Sequence, residues 1–223
     1  MLKVFILCIV SIYSEPSGDF ILTQNRDESV LRPSSETIET REVFGEKFTG
    51  PVDLVSNGTW IYYSQQYVCC ILNGAYKKHS HRPPYRKSRG LVILDLLQFK
   101  SIQSFIDTID LEGIEPFSMI MIDRNSREKK ILVWDEIQKH TEDLSGESLI
   151  VRSSTPLYTE EEKATHKKAF QNLLEKTPKS IFQLQDQIKM LENNKFPTVQ
   201  STSITQIIAA GKDINLKFCP ILK

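Results

Sequence analysis

Residues 4–28 read VFILCIVSIY-SEPSGD-FILT-QNRDE, and this stretch decides the fold. Val4 to Tyr13 is an apolar run rich in Val, Ile, Phe and Tyr, the composition of a buried strand. Ser14-Glu15-Pro16-Ser17-Gly18-Asp19 is turn chemistry, and Phe20-Ile21-Leu22-Thr23 is a second apolar strand. Two such runs around such a turn predict a hairpin. The second strand runs directly into Gln24-Asn25-Arg26-Asp27-Glu28, a polar cluster placed either to build a site or to form a solvated turn. The first thirteen residues also have the outline of a secretory signal, with Lys3 ahead of an apolar run within the ~7–15 residues of an h-region. The small-residue cleavage pattern is missing, however, and Phe5, Ile6 and Leu7 are bulky. The run falls short of the ~20 apolar residues of a membrane span. The strand reading implies a cytoplasmic protein; a signal over residues 1–13 would make it secreted.

Outward from this hairpin, Val30 to Asn57 reads as loop, with Pro33, Pro51, Gly45 and Gly50 and weak periodicity. Trp60–Tyr63 and Tyr67–Leu72 form another hairpin-like pair, ending at Asn73-Gly74-Ala75. Residues 77–89, KKHSHRPPYRKSR, are a basic segment suited either to a solvated loop or to an anionic ligand. Helical spacing of Leu91, Ile93, Leu94 and Leu97 predicts a helix over Ser88–Phe99, and Ile102, Phe105, Ile106 and Ile109 predict a second. Phe117–Ile122 and Lys130–Trp134 read as strands around a turn, and Ser148–Arg152 as a further short strand. Thr159 and Glu162 make a capping box for a helix to about Leu174, and Thr177-Pro178 opens another. Val199–Ile208 alternates as a late strand, and Asn215–Cys219 is a last short one.

Strands, helices, strands, helices, strands is not the alternation of a nucleotide-binding parallel sheet, and no Gly-rich phosphate loop appears. We therefore expect an α+β fold, with two antiparallel sheets and helices outside them, in one domain over residues 1–223. The chain has 223 residues, with 28 Lys and Arg balanced by 28 Asp and Glu. Zero net charge excludes a general electrostatic affinity for nucleic acid or anionic membrane. The four cysteines show no C-x-x-C spacing, so neither a disulfide framework nor a zinc site is expected. Cys69, Cys70 and Cys219 read as small apolar fillers. His79 and His81 lack a companion ligand in sequence, so no metal or other cofactor is expected.

No G-x-S-x-G occurs, and the four histidines suggest no triad by spacing. A catalytic system without histidine uses an N-terminal Cys, Ser or Thr whose own α-amine, with a pKa of ~7.7–8.0, takes the nucleophile's proton. Asn25-Arg26-Asp27-Glu28, after Phe20–Thr23, resembles the motif that names the NRDE family, the family of transport and Golgi organisation proteins. The resemblance continues through Gly58-Thr59-Trp60, Ile71–Ala75, Pro84–Gly90 and Ser153-Ser154-Thr155-Pro156-Leu157-Tyr158, and so covers most of the chain.

That family is similar to the N-terminal nucleophile hydrolases, which implies a four-layer αββα sandwich and cleavage of a non-peptide amide or acyl substrate. Carried over by position, the resemblance makes Cys8 the nucleophile. Asp27, nineteen positions later, orients the α-amine, and Arg26 supports the thiolate or the substrate. Asn73 contributes to the oxyanion site, and Ser154 stands where related hydrolases place an asparagine. Asn25, Trp60, Arg86 and Arg89 are the substrate-binding candidates. Met1–Leu7 precede Cys8, so this chemistry requires their removal. The alternative implied by the family is a non-catalytic ligand-binding or trafficking protein handling haem, acyl-CoA or lipid. Either way the expected partner is a small molecule.

Overall fold

The computed structural model describes residues 8–29, 31–77, 79–154, 160–174 and 199–221. In chain order its strands are β1 (Ile9–Ser14), β2 (Phe20–Ser29), β3 (Glu39–Val43), β4 (Glu46–Gly50), β5 (Ile61–Ser64) and β6 (Tyr67–Asn73). Helix α1 (Arg89–Asp95), a 3-10 turn (Leu96–Gln98) and helix α2 (Ile102–Thr108) follow. Then come β7 (Phe117–Asp123), β8 (Lys129–Trp134), β9 (Lys139–Asp143), β10 (Leu149–Ser153), helix α3 (Glu160–Leu174), β11 (Val199–Ala210) and β12 (Asp213–Pro220). The class is α+β, built on two antiparallel sheets, as the sequence predicts. Thr159 of the capping box, the helix opening at Thr177-Pro178 and the first part of the N-terminal apolar run lie outside the described residues.

The chain divides into two compact units, one of Met1–Leu31 with Glu147–Lys223 and one of Arg32–Gly146. The first holds a five-stranded sheet in the order β10-β1-β2-β11-β12. The predicted hairpin forms its centre, with Val10 opposite Gln24 and Ile12 opposite Leu22. Gly18 takes φ 95° in the turn, a left-handed conformation that glycine adopts without a Cβ penalty. Val10, Ile12, Leu22 and Ile207 are fully buried, and burying a side chain such as Leu22 contributes about 2 kcal/mol. Helix α3 packs on β10 and buries Phe170. The apolar strand does not stop at Thr23: β2 continues through Ser29, so Gln24–Glu28 lie within the strand and are buried, not in a solvated turn.

The second unit holds a seven-stranded sheet in sequence order, β3 to β9, with α1 and α2. Its β5–β6 and β7–β8 hairpins match the expected pairs. The loop expected over Val30–Asn57 is instead interrupted by the β3–β4 hairpin, which turns through Phe44 and Gly45 at φ 55° and 79°. Strands β3 (ETREV) and β9 (KHTED) lie at the two edges of the sheet and bury no face. Backbone pairing defines such strands, so hydrophobic alternation does not reveal them. Cys69 and Cys70 are fully buried fillers. Cys219 is not: it sits exposed on the edge strand β12, where a side chain pointing away from the sheet meets solvent.

The entry to α1 is fixed by backbone contact. Thr59 N donates to Gly90 O at 2.9 Å. A Cβ on Gly58 would stand 2.4 Å from the Gly90 carbonyl carbon and oxygen, and a Cβ on Gly90 would meet Thr59 O at 3.1 Å. The Thr59 hydroxyl braces the same corner, its one proton shared between Pro51 O at 2.7 Å and Ile61 O at 2.9 Å.

Candidate functional site

Cys8 lies immediately before β1, where two neighbouring strands reach it. On one side β1 pairs with β10, Ile9 facing Ser153, and Ser154 N donates to Cys8 O at 2.8 Å. On the other side β2 brings its polar segment alongside, and Cys8 Sγ lies 4.0 Å from the Asp27 carbonyl oxygen, to which the thiol donates. Cys8, Asp27 and Ser154 are buried at 5%, 2% and 1% exposure. The hairpin thus brings together residues nineteen positions apart, and β10 adds a third from more than a hundred residues away.

Arg26 and Asp27 are held by the strand on the far side of β2. Strands β2 and β11 pair regularly from Ala209–Phe20 to Ser203–Arg26, and the register then shifts, so that Asp27 faces Ser201. Thr202 is the extra residue of this bulge. The Ser201 hydroxyl donates to the Asp27 carboxylate. Arg26 Nη1 donates to Thr202 Oγ1 at 2.9 Å, and the Thr202 hydroxyl donates in turn to Arg26 O at 3.1 Å. The guanidinium also stands 4.0 Å from the Glu28 carboxylate. Asn25 is buried opposite Ile204 on β11. Further along the same pair, Gln206 Nε2 donates to Thr23 Oγ1 at 3.0 Å.

Arg26 lowers the pKa of the Cys8 thiol, the direction expected of it, but larger effects outweigh it. Burial pushes the thiol well above its ordinary range, and the Asp27 carboxylate, then Glu28, push it further in the same direction. A hydrogen bond to the Asp27 backbone lowers it, and the Arg26 cation opposes the rise least of all. With residue 7 attached, the buried Cys8 is a neutral thiol and a poor nucleophile.

The other expected site residues belong to the Arg32–Gly146 unit. Asn73 ends β6, half-buried and paired with Phe117, and Trp60 is buried just before β5. Arg86 and Arg89 brace a loop. Arg86 donates to Glu112 O and Asp110 O, both at 2.8 Å, and pairs with the Asp110 carboxylate at 3.1 Å. Arg89 donates to Pro116 O at 3.1 Å and pairs with Glu115 at 3.0 Å. Glu115 is the carboxylate that sequence reading did not connect to the histidines: His79 Nε2 and His81 Nδ1 meet its Oε1 at 3.2 and 3.0 Å. Burial alone would raise the Glu115 pKa. The contacts with His79, Arg89 and His81 outweigh it and hold the group at about 2. Lys87 likewise pairs with Asp95 at 2.6 Å. Among the described residues no group of three or more His, Cys, Asp or Glu side chains is placed to hold a metal ion, and no helix is long and apolar enough to cross a membrane. A cleft of about 260 Å³ in this unit is lined by residues including Ser64, Gln66, Leu97 and Lys100 and by none of the expected site residues.

Ser201 and Thr202 were not legible as site residues. The sequence marks Val199–Ile208 as a strand by its alternation, but nothing in a single chain says that this strand pairs with β2. Compared with known families, residues 7–219 match the family model described as Transport and Golgi organisation 2. No curated protein matches the chain.

Proposed function

The chain belongs to the Transport and Golgi organisation 2 family, the family marked by the Asn25–Glu28 motif, and we propose that it is a cysteine amide hydrolase of the N-terminal nucleophile type. The observation that carries this reading is the convergence of Cys8, Asp27 and Ser154 across three neighbouring strands. Once residues 1–7 are removed, Cys8 gains an α-amine beside its own thiol. The amine takes the thiol proton, and the sulfur attacks the carbonyl carbon of a small amide. Ser154 stands beside Cys8 to support the developing oxyanion. The α-ammonium then protonates the leaving nitrogen, the C–N bond breaks and a thioester remains. Water attacks the thioester, its proton passes through the amine to the departing sulfur, and the acid is released. Asp27 orients the amine throughout.

Intact mass and N-terminal sequencing of the purified protein are the first test, followed by turnover of a panel of small amides. The reading expects a chain beginning at Cys8 and turnover abolished by Cys8→Ala. A chain that retains Met1, with a Cys8 that no thiol reagent modifies, overturns it.

The buried, neutral thiol favours a second reading, a protein that keeps the fold and binds a ligand without turnover. Residues 77–89 are poor support for an anionic ligand, because Arg86, Lys87, Arg89 and both histidines already face carboxylates. Thermal shifts with haem, an acyl-CoA and anionic phospholipid decide it: a shift undiminished in Cys8→Ala supports binding, and no shift with any of the three removes it.

A further inference from the structure

The proposed chemistry places its weight on the Asp27 carboxylate, and that carboxylate is not positioned by its own strand alone. A regular antiparallel partner gives each residue one opposite neighbour. At this point β11 supplies an extra residue, so that Ser201, Thr202 and Ser203 stand against Asp27 and Arg26. Bulges of this kind re-aim side chains next to functional sites. Here the two hydroxyls take separate tasks. Ser201 fixes one oxygen of Asp27, while Thr202 engages Arg26 at its guanidinium and at its backbone carbonyl. The extra residue also keeps the remainder of β11 in phase, with Ile207 opposite Leu22 in the core. Without it, the stretch beyond would turn its side chains to the opposite face.

We propose that Ser201 is a positioning residue for the Cys8 site, setting the Asp27 carboxylate so that its other oxygen faces the α-amine. Thr202 does the same for Arg26. The inference rests on the hydrolase reading for its purpose, but its test does not depend on finding a substrate. Ser201 acts through Asp27, to whose carboxylate it donates. A bound carboxylate in the wrong orientation leaves the amine without a partner and the thiol protonated.

The experiment compares the purified protein, its N-terminus at Cys8 verified by intact mass, with its Ser201→Ala, Ser201→Thr and Thr202→Val variants. Iodoacetamide labelling of Cys8 is followed by peptide mass across pH 5–10, which separates Cys8 from the exposed Cys219. Ser201→Ala is expected to slow Cys8 labelling about tenfold or more and to displace its pH profile, while Ser201→Thr, which keeps the hydroxyl, restores both. Thr202→Val is expected to give a smaller slowing. Thermal midpoints of the four proteins show that the labelling difference is not unfolding. Coincident wild-type and Ser201→Ala profiles, including two equally inert proteins, overturn the proposal. Failure of the hydrolase reading alone looks different: the protein beginning at Cys8 turns over no amide, yet Cys8 labelling still depends on Ser201 and recovers with threonine.

Discussion

Residues 24–28 and 77–89 are two segments of this chain where charge and polar chemistry concentrate, and the fold treats them in opposite ways. The first is threaded through the second-longest strand of its sheet and buried on both faces, with Arg26 and Asp27 held by hydroxyls of β11. The second lies in the other unit, where His79, His81, Arg86, Lys87 and Arg89 face Glu115, Asp95 and Asp110. Charge in a loop finds opposite charge and becomes a brace. Charge in the middle of a sheet costs several kcal/mol per ion to desolvate, and a chain that keeps it there has a use for it.

The sharpest way to break this contrast is to remove one charge from each segment. Arg26→Ala leaves Glu28 and Asp27 as buried carboxylates without the guanidinium, and is expected to cost about 3–5 kcal/mol in urea unfolding. A cost under about 1 kcal/mol would place this arginine with ordinary surface charges. In the second segment the corresponding change is Glu115→Gln. The folded Glu115 pKa of about 2 lies below its ordinary value of 4.5. Its contribution, about 3 kcal/mol, is therefore full above the unfolded value and lost as pH falls through about 2. Stability measured from pH 6 to 2 should fall along this limb in the native protein and more gently in Glu115→Gln; parallel curves would refute the brace.

Asp27→Asn keeps shape and removes charge. It is expected to lower amide turnover about a hundredfold, with a smaller loss of stability than Arg26→Ala. Equal turnover would separate the buried cluster from catalysis. The smallest effect is expected at Arg86→Lys, which forfeits a planar donor pair to the carbonyls of Asp110 and Glu112. A loss of about 1 kcal/mol in thermal unfolding, with turnover unchanged, fits the brace; lost turnover would return Arg86 to the substrate.

The strands whose side chains bury an apolar face were readable from period and composition: β1, the first half of β2, β5 to β8 and β11 fall where the apolar residues lie. The edge strands β3 and β9 were not, because Glu39–Val43 and Lys139–Asp143 owe their form to a neighbour's backbone. Of the site, Cys8, Asp27 and Ser154 were named from family motifs, and each is local to a strand end or strand. Ser201 and Thr202 were invisible because their role depends on a pairing between residues more than 170 positions apart and on a one-residue slip. Arg26 lowers the thiol pKa as a nearby cation does, but only the cation is visible in sequence; the burial that outweighs it is not.

The contact between Gly58 and Gly90 bears on what a shared motif means. These glycines fall in two separate strings of the family resemblance, Gly58-Thr59-Trp60 and Pro84–Gly90, yet they form one place in space where two backbones touch. A methyl group on Gly58 would overlap the Gly90 backbone and one on Gly90 would crowd Thr59 O, so a change at either shifts the start of α1. Two short signatures that look like independent votes for kinship are therefore a single vote, cast by the geometry of a backbone crossing.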